Sequence, residues 1–171
     1  MAADIKTKYP ATSTVALTLT TASLATDSAL LAGRASTAVD NTTNQDLDHL
    51  VSGAIRTGTS PTVSTNIEVW VYSYMSIASG TPTYVDSITG TDANKSMTSL
   101  NVKNSAMRLV HAMTVDNTTG RDYYIPPTSI AGLFGGALPP FWGLFVVHNT
   151  GVALNATQVA LQYERVQAQT V

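Results

Sequence analysis

Three histidines, two glutamates and nine aspartates are the side chains of this chain able to do acid–base work. His49, His111 and His148 each fall in or beside a run of alternating apolar residues, where a histidine bonded to a backbone group is the plain expectation. Glu68 and Glu164 are the only glutamates, and each stands in a strand-like pattern. A pair of glycosidase carboxylates is the hydrolytic chemistry they would suit, if their strands come within reach of one bond. A sheet-edge or interface charge is the plainer reading of both. No G-x-S-x-G elbow, H-E-x-x-H pair, P-loop or G-x-G-x-x-G turn is present. A Ser–His–Asp arrangement carries no information in a chain so rich in Ser and Asp. The chain therefore reads as a non-enzyme, with no catalytic, cofactor-binding or metal-binding residue assigned.

Calcium is the one metal to test. The segment Asp40-Asn41-Thr42-Thr43-Asn44-Gln45-Asp46-Leu47-Asp48 sets oxygen-bearing side chains at alternate positions, as an EF-hand loop does at its start. Gln45 stands where that loop needs Gly, however, and Val51 where it needs a bidentate Glu. An Asx-turn connection is expected, with a looser calcium site as the alternative. The aromatic residues Trp70, Tyr72, Tyr74, Tyr123, Tyr124, Phe141 and Trp142 would suit a sugar-stacking platform, but core or subunit-interface packing is their ordinary use. The N-x-[ST] triplets at Asn41, Asn117 and Asn155 are expected by chance where Thr is so common.

Composition removes several classes. The chain has 171 residues, no cysteine, 12% charged residues and a formal net charge of −2. Without cysteine, neither a disulfide scaffold nor a thiolate metal site can form. Nine Lys and Arg against eleven Asp and Glu leave no basic excess for a nucleic-acid backbone. No apolar stretch approaches the roughly 20 residues of a membrane helix, and the opening residues lack a secretory pattern. Thr and Ser fill 41 positions while 44% of residues are hydrophobic, which favours strands and turns and disfavours disorder.

The elements that must position these residues read as strands. Residues 1–13 form a polar arm, followed by a single domain over 14–171. Val15, Leu17 and Leu19 alternate; residues 24–31 read as a helical turn or a loop; 34–40 and 47–57 read as strands joined by a turn at 40–44. In the clearest strand, 66–75, Ile67, Val69, Val71 and Ser73 oppose Glu68, Trp70, Tyr72 and Tyr74, a pattern for a strand covered on both sides or docked by a partner. A short strand near 84–88, a polar loop over 91–105, and strands over 106–115, 128–134, 141–148 and 159–166 complete the set. The fold expected is all-β, an antiparallel β-sandwich of jelly-roll or related Greek-key type, with an up-and-down barrel as the alternative.

Val39-Asp40-Asn41-Thr42-Thr43 recurs as Val115-Asp116-Asn117-Thr118-Thr119, and His148-Asn149-Thr150-Gly151 is a looser cousin. These read as turn cassettes in equivalent loops at one end of the sandwich. Late in the chain, Phe134-Gly135-Gly136-Ala137-Leu138-Pro139-Pro140-Phe141-Trp142-Gly143 makes a rigid apolar corner. This corner, together with Val15–Thr21, Arg34–Asn44 (R-A-S-T-A-V-D-N-T-T-N) and Val69–Tyr74 (V-W-V-Y-S-Y), resembles the recurrent pattern of small structural proteins of tailed-bacteriophage virions. The resemblance spans most of residues 14–165 and rests on packing and turn motifs.

It implies a non-enzymatic capsid decoration or cement protein, assembled in the host bacterial cytoplasm and carried on the virion. Its partners would be the major capsid protein or other virion proteins, and copies of itself, with a trimer favoured. Neither nucleic acid nor membrane is expected as a partner. A tail-associated accessory or receptor-binding β-sandwich is the alternative. Trp70, Tyr72, Tyr74, Phe141 and Trp142 are the expected interface anchors, and Arg34 and Arg121 the expected charged contacts.

Overall fold

The computed structural model describes residues 5–11 and 13–170. Strands account for 45% of it and helices for 7%. Strands β1 (Ile5–Lys8), β2 (Thr14–Ala16), β5 (Asp48–Arg56), β11 (Asp122–Ser129) and β13 (Gln162–Thr170) form one antiparallel sheet. The other contains β3 (Ala32–Ala35), β4 (Val39–Asp40), β6 (Thr65–Ser73), β9 (Ala93–Ser96), β10 (Met107–Val115) and β12 (Phe141–His148). Strands β7 (Ser76–Ala78) and β8 (Thr81–Thr83) pair separately, and α1 (Leu100–Ala106) and α2 (Ile130–Leu133) are short helices.

β1 and β2 run as one interrupted strand along β13, and β3 and β4 as one along β12. The first sheet then reads first strand, last strand, β5, β11; the second reads β10, β6, β12, β3/β4, with β9 added at the edge beside β3. That is the double Greek key of a jelly roll, so the expected architecture is found. Its core lies between the sheets, where Ile67, Val69, Val71, Leu144 and Val146 face Val51, Ile55, Ile125 and Tyr163.

The outer face of the second sheet is covered too. The excursion between β6 and β10 folds back over it, and Val85, Ile88, Met97 and Met107 pack on Tyr72, Phe145 and Val147. The two-sided pattern of β6 is thus satisfied within the chain. β10 crosses from one core to the other: Met107 faces the outer cluster, an irregularity between Leu109 and His111 inserts Val110, and Val110, Met113 and Val115 face the inner one.

Several expectations need correction. Ile5–Lys8 of the supposed arm are paired with Thr170–Gln167, while residues 1–4, 12 and 171 lie outside the described residues. Of the two readings of residues 24–31, a helical turn or a loop, the structure has the loop, with turns and no helix. Residues 84–88 form a turn that delivers Val85 and Ile88 to the outer cluster. The supposed loop 91–105 contains β9 and most of α1, whose start is capped by the Ser99 hydroxyl accepting from the Val102 amide. Residues 128–134 are the end of β11 followed by α2.

The repeated turn cassettes are alike locally. Asp40 accepts from the Thr42 amide and Asp116 from the Thr118 amide, both at 2.8 Å, so each is an Asx turn. They nevertheless sit at opposite ends of the sandwich. Asp40 pairs with Phe141, at the end where β6 finishes, whereas Val115 pairs with Thr65, where β6 begins.

Candidate functional site

The register gathers particular segments at the end where β6 finishes. β4 and β6 finish beside the start of β12, and the Asn41 amide donates to the Pro140 carbonyl at 2.8 Å. β11 finishes there beside the start of β5. Three of the four motif segments quoted from the sequence, Arg34–Asn44, Val69–Tyr74 and Phe134–Gly143, therefore converge at this end. The last two of these segments, with Met75 and the start of β10, line a groove of about 430 Å³ that includes Tyr74, Met75, Arg108, Phe134, Leu138 and Pro139. Met75 is 58% exposed although apolar. The Arg108 guanidinium bonds only the Ser105 and Met107 carbonyls and makes no ion pair among the described residues.

β1 and the last residues of β13 project from the same end. β13 pairs with β5 only as far as Val166, opposite Asp48, and beyond that point Gln167–Thr170 pair with β1 alone. All four residues of β1 are exposed.

Of the expected anchors, only Tyr74 is placed in the groove. Phe141 is half-buried, opposite Asp40, and its carbonyl accepts from the Ser73 hydroxyl at 3.0 Å. Tyr72 and Trp142 are wholly buried and serve as core, which corrects their assignment to an interface. Tyr72 donates its hydroxyl to the Ser36 carbonyl at 2.7 Å, and burial raises its pKa far above the ordinary range.

Trp142 donates its indole N–H to His49 Nδ1 at 3.0 Å. His49 Nε2 faces Asp46 Oδ2 at 2.9 Å. Asp46 also takes Arg165 at 2.8 and 3.1 Å and Gln167 at 2.7 Å. Burial pushes the Asp46 carboxyl up, but these donors outweigh it and hold the pKa at about 2.

Trp70 is half-buried and gives its indole N–H to Glu68 at 2.8 Å. Lys103 reaches from α1 to the same carboxylate at 3.0 Å and to the Leu30 carbonyl at 2.8 Å, with its ammonium 4.7 Å from the Trp70 ring centroid. Trp70 and Glu68 thereby receive a buried internal cation.

The two expected arginines are occupied within the fold. Arg34 binds Asp92 through Nε at 2.6 Å and reaches the Asp92 carbonyl and the Asn94 side chain. Burial pushes Asp92 up, while Arg34 and Thr20 more than compensate and leave its pKa lowered. Arg121 pairs with Asp116, which also accepts from Tyr123 and the Thr118 amide.

Other chemistry is likewise spent internally. Glu68 and Glu164 sit at positions of opposite parity to the core residues Ile67 and Tyr163 on different sheets, so they face outward on opposite sides. No single bond lies between them. In the 40–48 loop, Asp40 takes Thr42, Asp46 takes Arg165 and His49, and Asp48 takes the His49 and Ala131 amides. Among the described residues no cluster of three His, Asp or Glu side chains is arranged to hold a metal ion.

Met75, Arg108 and Lys103 were not singled out from sequence as parts of a site, and Asp46 figured only as an oxygen ligand in a looser calcium loop. The signal available was Glu68, a lone carboxylate in an apolar strand that demanded a buried partner. These features define an all-β jelly roll with an apolar end groove. No protein-family model, curated protein or solved structure matches the chain.

Proposed function

We propose that the chain is a non-enzymatic structural protein of a tailed-phage virion, a decoration or cement protein that seats the groove end of its sandwich on the capsid. Jelly rolls also serve as lectins and cupins, so architecture alone does not select this reading. The observation that carries it is the meeting at one end of three segments of the virion resemblance, two of which line an apolar groove.

The other surfaces support attachment by that end. Five of the nine Lys and Arg side chains are consumed in ion pairs with the chain's own carboxylates. Lys6 and Lys8 on β1, Lys95 on β9 and Arg108 on β10 lie on edge strands, and the remaining edge, β11, carries Pro126-Pro127. Cations and prolines at these places discourage strand addition along the sheet edges. Burying the groove in assembled shells alone would stabilise the particle by mass action. Symmetric self-association, as a trimer, would repeat the contact around a capsomer.

Adding the purified protein to expanded capsids that lack it tests the reading. Saturable binding and a raised disruption temperature are expected, with hundreds of copies per particle. No binding to capsids, or about a dozen copies or fewer on a purified particle, would transfer the protein to the tail or away from the virion.

A further inference from the structure

The buried cluster of Asp46, His49 and Trp142 has a property that follows from donor arithmetic. An indole N–H can only donate. His49 Nδ1, 3.0 Å from it, must therefore offer a lone pair, and the ring proton must sit on Nε2, donated to Asp46. The imidazole is thereby required to be neutral. A proton arriving at Nδ1 would set two N–H groups against each other, and Trp142, with no exposed surface, has no second acceptor among its hydrogen bonds.

The groups facing His49 sharpen this conflict. From the 41–47 loop comes Asp46, from its own strand Asp48, from β13 Arg165 and Tyr163, and from β12 the uncharged Trp142. Asp46 is already neutralised by Arg165, so a second cation on the same carboxylate gains less attraction and meets Arg165 repulsion. Burial lowers the His49 pKa further than Asp46 raises it.

The cluster also has a mechanical position. Asp46 binds Arg165 and Gln167 on either side of Val166, the last residue of β13 paired with β5. It also holds its own loop through Asn41, whose side chain bonds the Asp46 amide at 2.9 Å and carbonyl at 3.1 Å.

We infer that the Trp142–His49–Asp46 relay is a proton-sensitive latch: with His49 neutral it fastens the 41–47 loop and the β1/β13 ribbon to the groove end, and protonation of Nδ1 releases them. The latch belongs to the isolated chain and stands apart from the virion reading.

Amide hydrogen exchange on the full chain, corrected for intrinsic rates, tests it between about pH 7.5 and pH 5. Opening of residues 41–47 and 163–170 should rise by roughly tenfold or more on acidification, and at a lower free energy than the centres of β6 and β12, whose exchange follows global unfolding. His49→Gln keeps an amide donor toward Asp46 and an oxygen acceptor toward Trp142 but cannot titrate, and it should abolish the rise. Equal acid-induced opening in this variant would assign the effect to His148 or the carboxylates and overturn the latch, as would no opening in the parent chain. Nitrogen NMR of the parent imidazole gives a readout independent of variant folding: a proton on Nε2 at neutral pH is expected, and one on Nδ1 overturns the proposal.

Discussion

The Tyr72 phenol occupies the space that a side chain at position 143 would need. A Cβ built on Gly143 would lie 2.8 Å from Tyr72 Cε1 and closer still to its hydroxyl. The two residues are register partners on β6 and β12, in the wholly buried middle of the second sheet. Gly143→Ala is therefore expected to destabilise the fold by about 1–3 kcal/mol, the usual effect of overpacking a rigid ring. Urea denaturation measures it, and an unchanged midpoint would contradict the tight fit.

The Lys103–Glu68 pair separates a buried charge from its compensation. Lys103→Met leaves Glu68 beside an apolar neighbour, and Glu68→Gln leaves a buried ammonium with neutral acceptors and no countercharge. Breaking buried pairs costs about 3–5 kcal/mol, and the partial exposure of Glu68 places these at the lower end. The double variant should recover much of the loss. Additive losses in a denaturation cycle would show the two groups to be uncoupled.

Arg34 and Arg121 should differ although both form ion pairs. Arg34 spans three acceptors at 21% side-chain exposure, whereas Arg121 is 50% exposed against a 40% exposed Asp116. Arg34→Ala is expected to cost about 1–2 kcal/mol, and Arg121→Ala less than about 1 kcal/mol. The reverse order in denaturation midpoints would contradict the assignment.

Global stability should fall with acid. Burial lowers the pKa values of His49 and His148 below their ordinary 6.5. The unfolded chain therefore binds protons that the folded chain refuses once pH drops through that value. Stability is complete above about pH 6.5 and declines below it, and Asp46 adds a second loss between 3.8 and about 2. Urea midpoints from about pH 8 down to pH 5 should be flat and then decline. A constant midpoint would remove the histidines from the balance.

A groove variant should separate binding from folding. Met75→Asp alters a residue that is 58% exposed, so stability should move by less than about 1 kcal/mol. Binding to expanded capsids should weaken by roughly tenfold or more, the effect of losing an interface anchor. Undiminished binding would place the contact elsewhere.

The strands that the sequence made legible are those whose alternation survives folding. β5, β6 and β12 fall close to where the pattern places them because each has a continuous buried face. β10 was legible as a strand, but the inserted Val110 reverses its facing in a way that simple alternation hides. The excursion over residues 74–106 was not legible, since Val85, Ile88 and Met97 are isolated apolar residues without a period. That omission governed the site as well. The alternation of β6 shows that Trp70 and Tyr72 have something over them, and only the fold shows that much of it is the chain's own excursion. Arg34 looked available for a partner because Asp92 lies 58 residues away, beyond any local pattern.

The order of strands within the sheets carries a consequence for biosynthesis. β12 is the interior strand that joins β6 to β3, and β13 the one that joins β5 to β1 and β2. Both follow in sequence every strand that they join, so a nascent polypeptide on the ribosome holds flanking strands with nothing between them until β12 and β13 have emerged. A ribosome stalled before Phe141 would display apolar strand faces that only chaperones can shield.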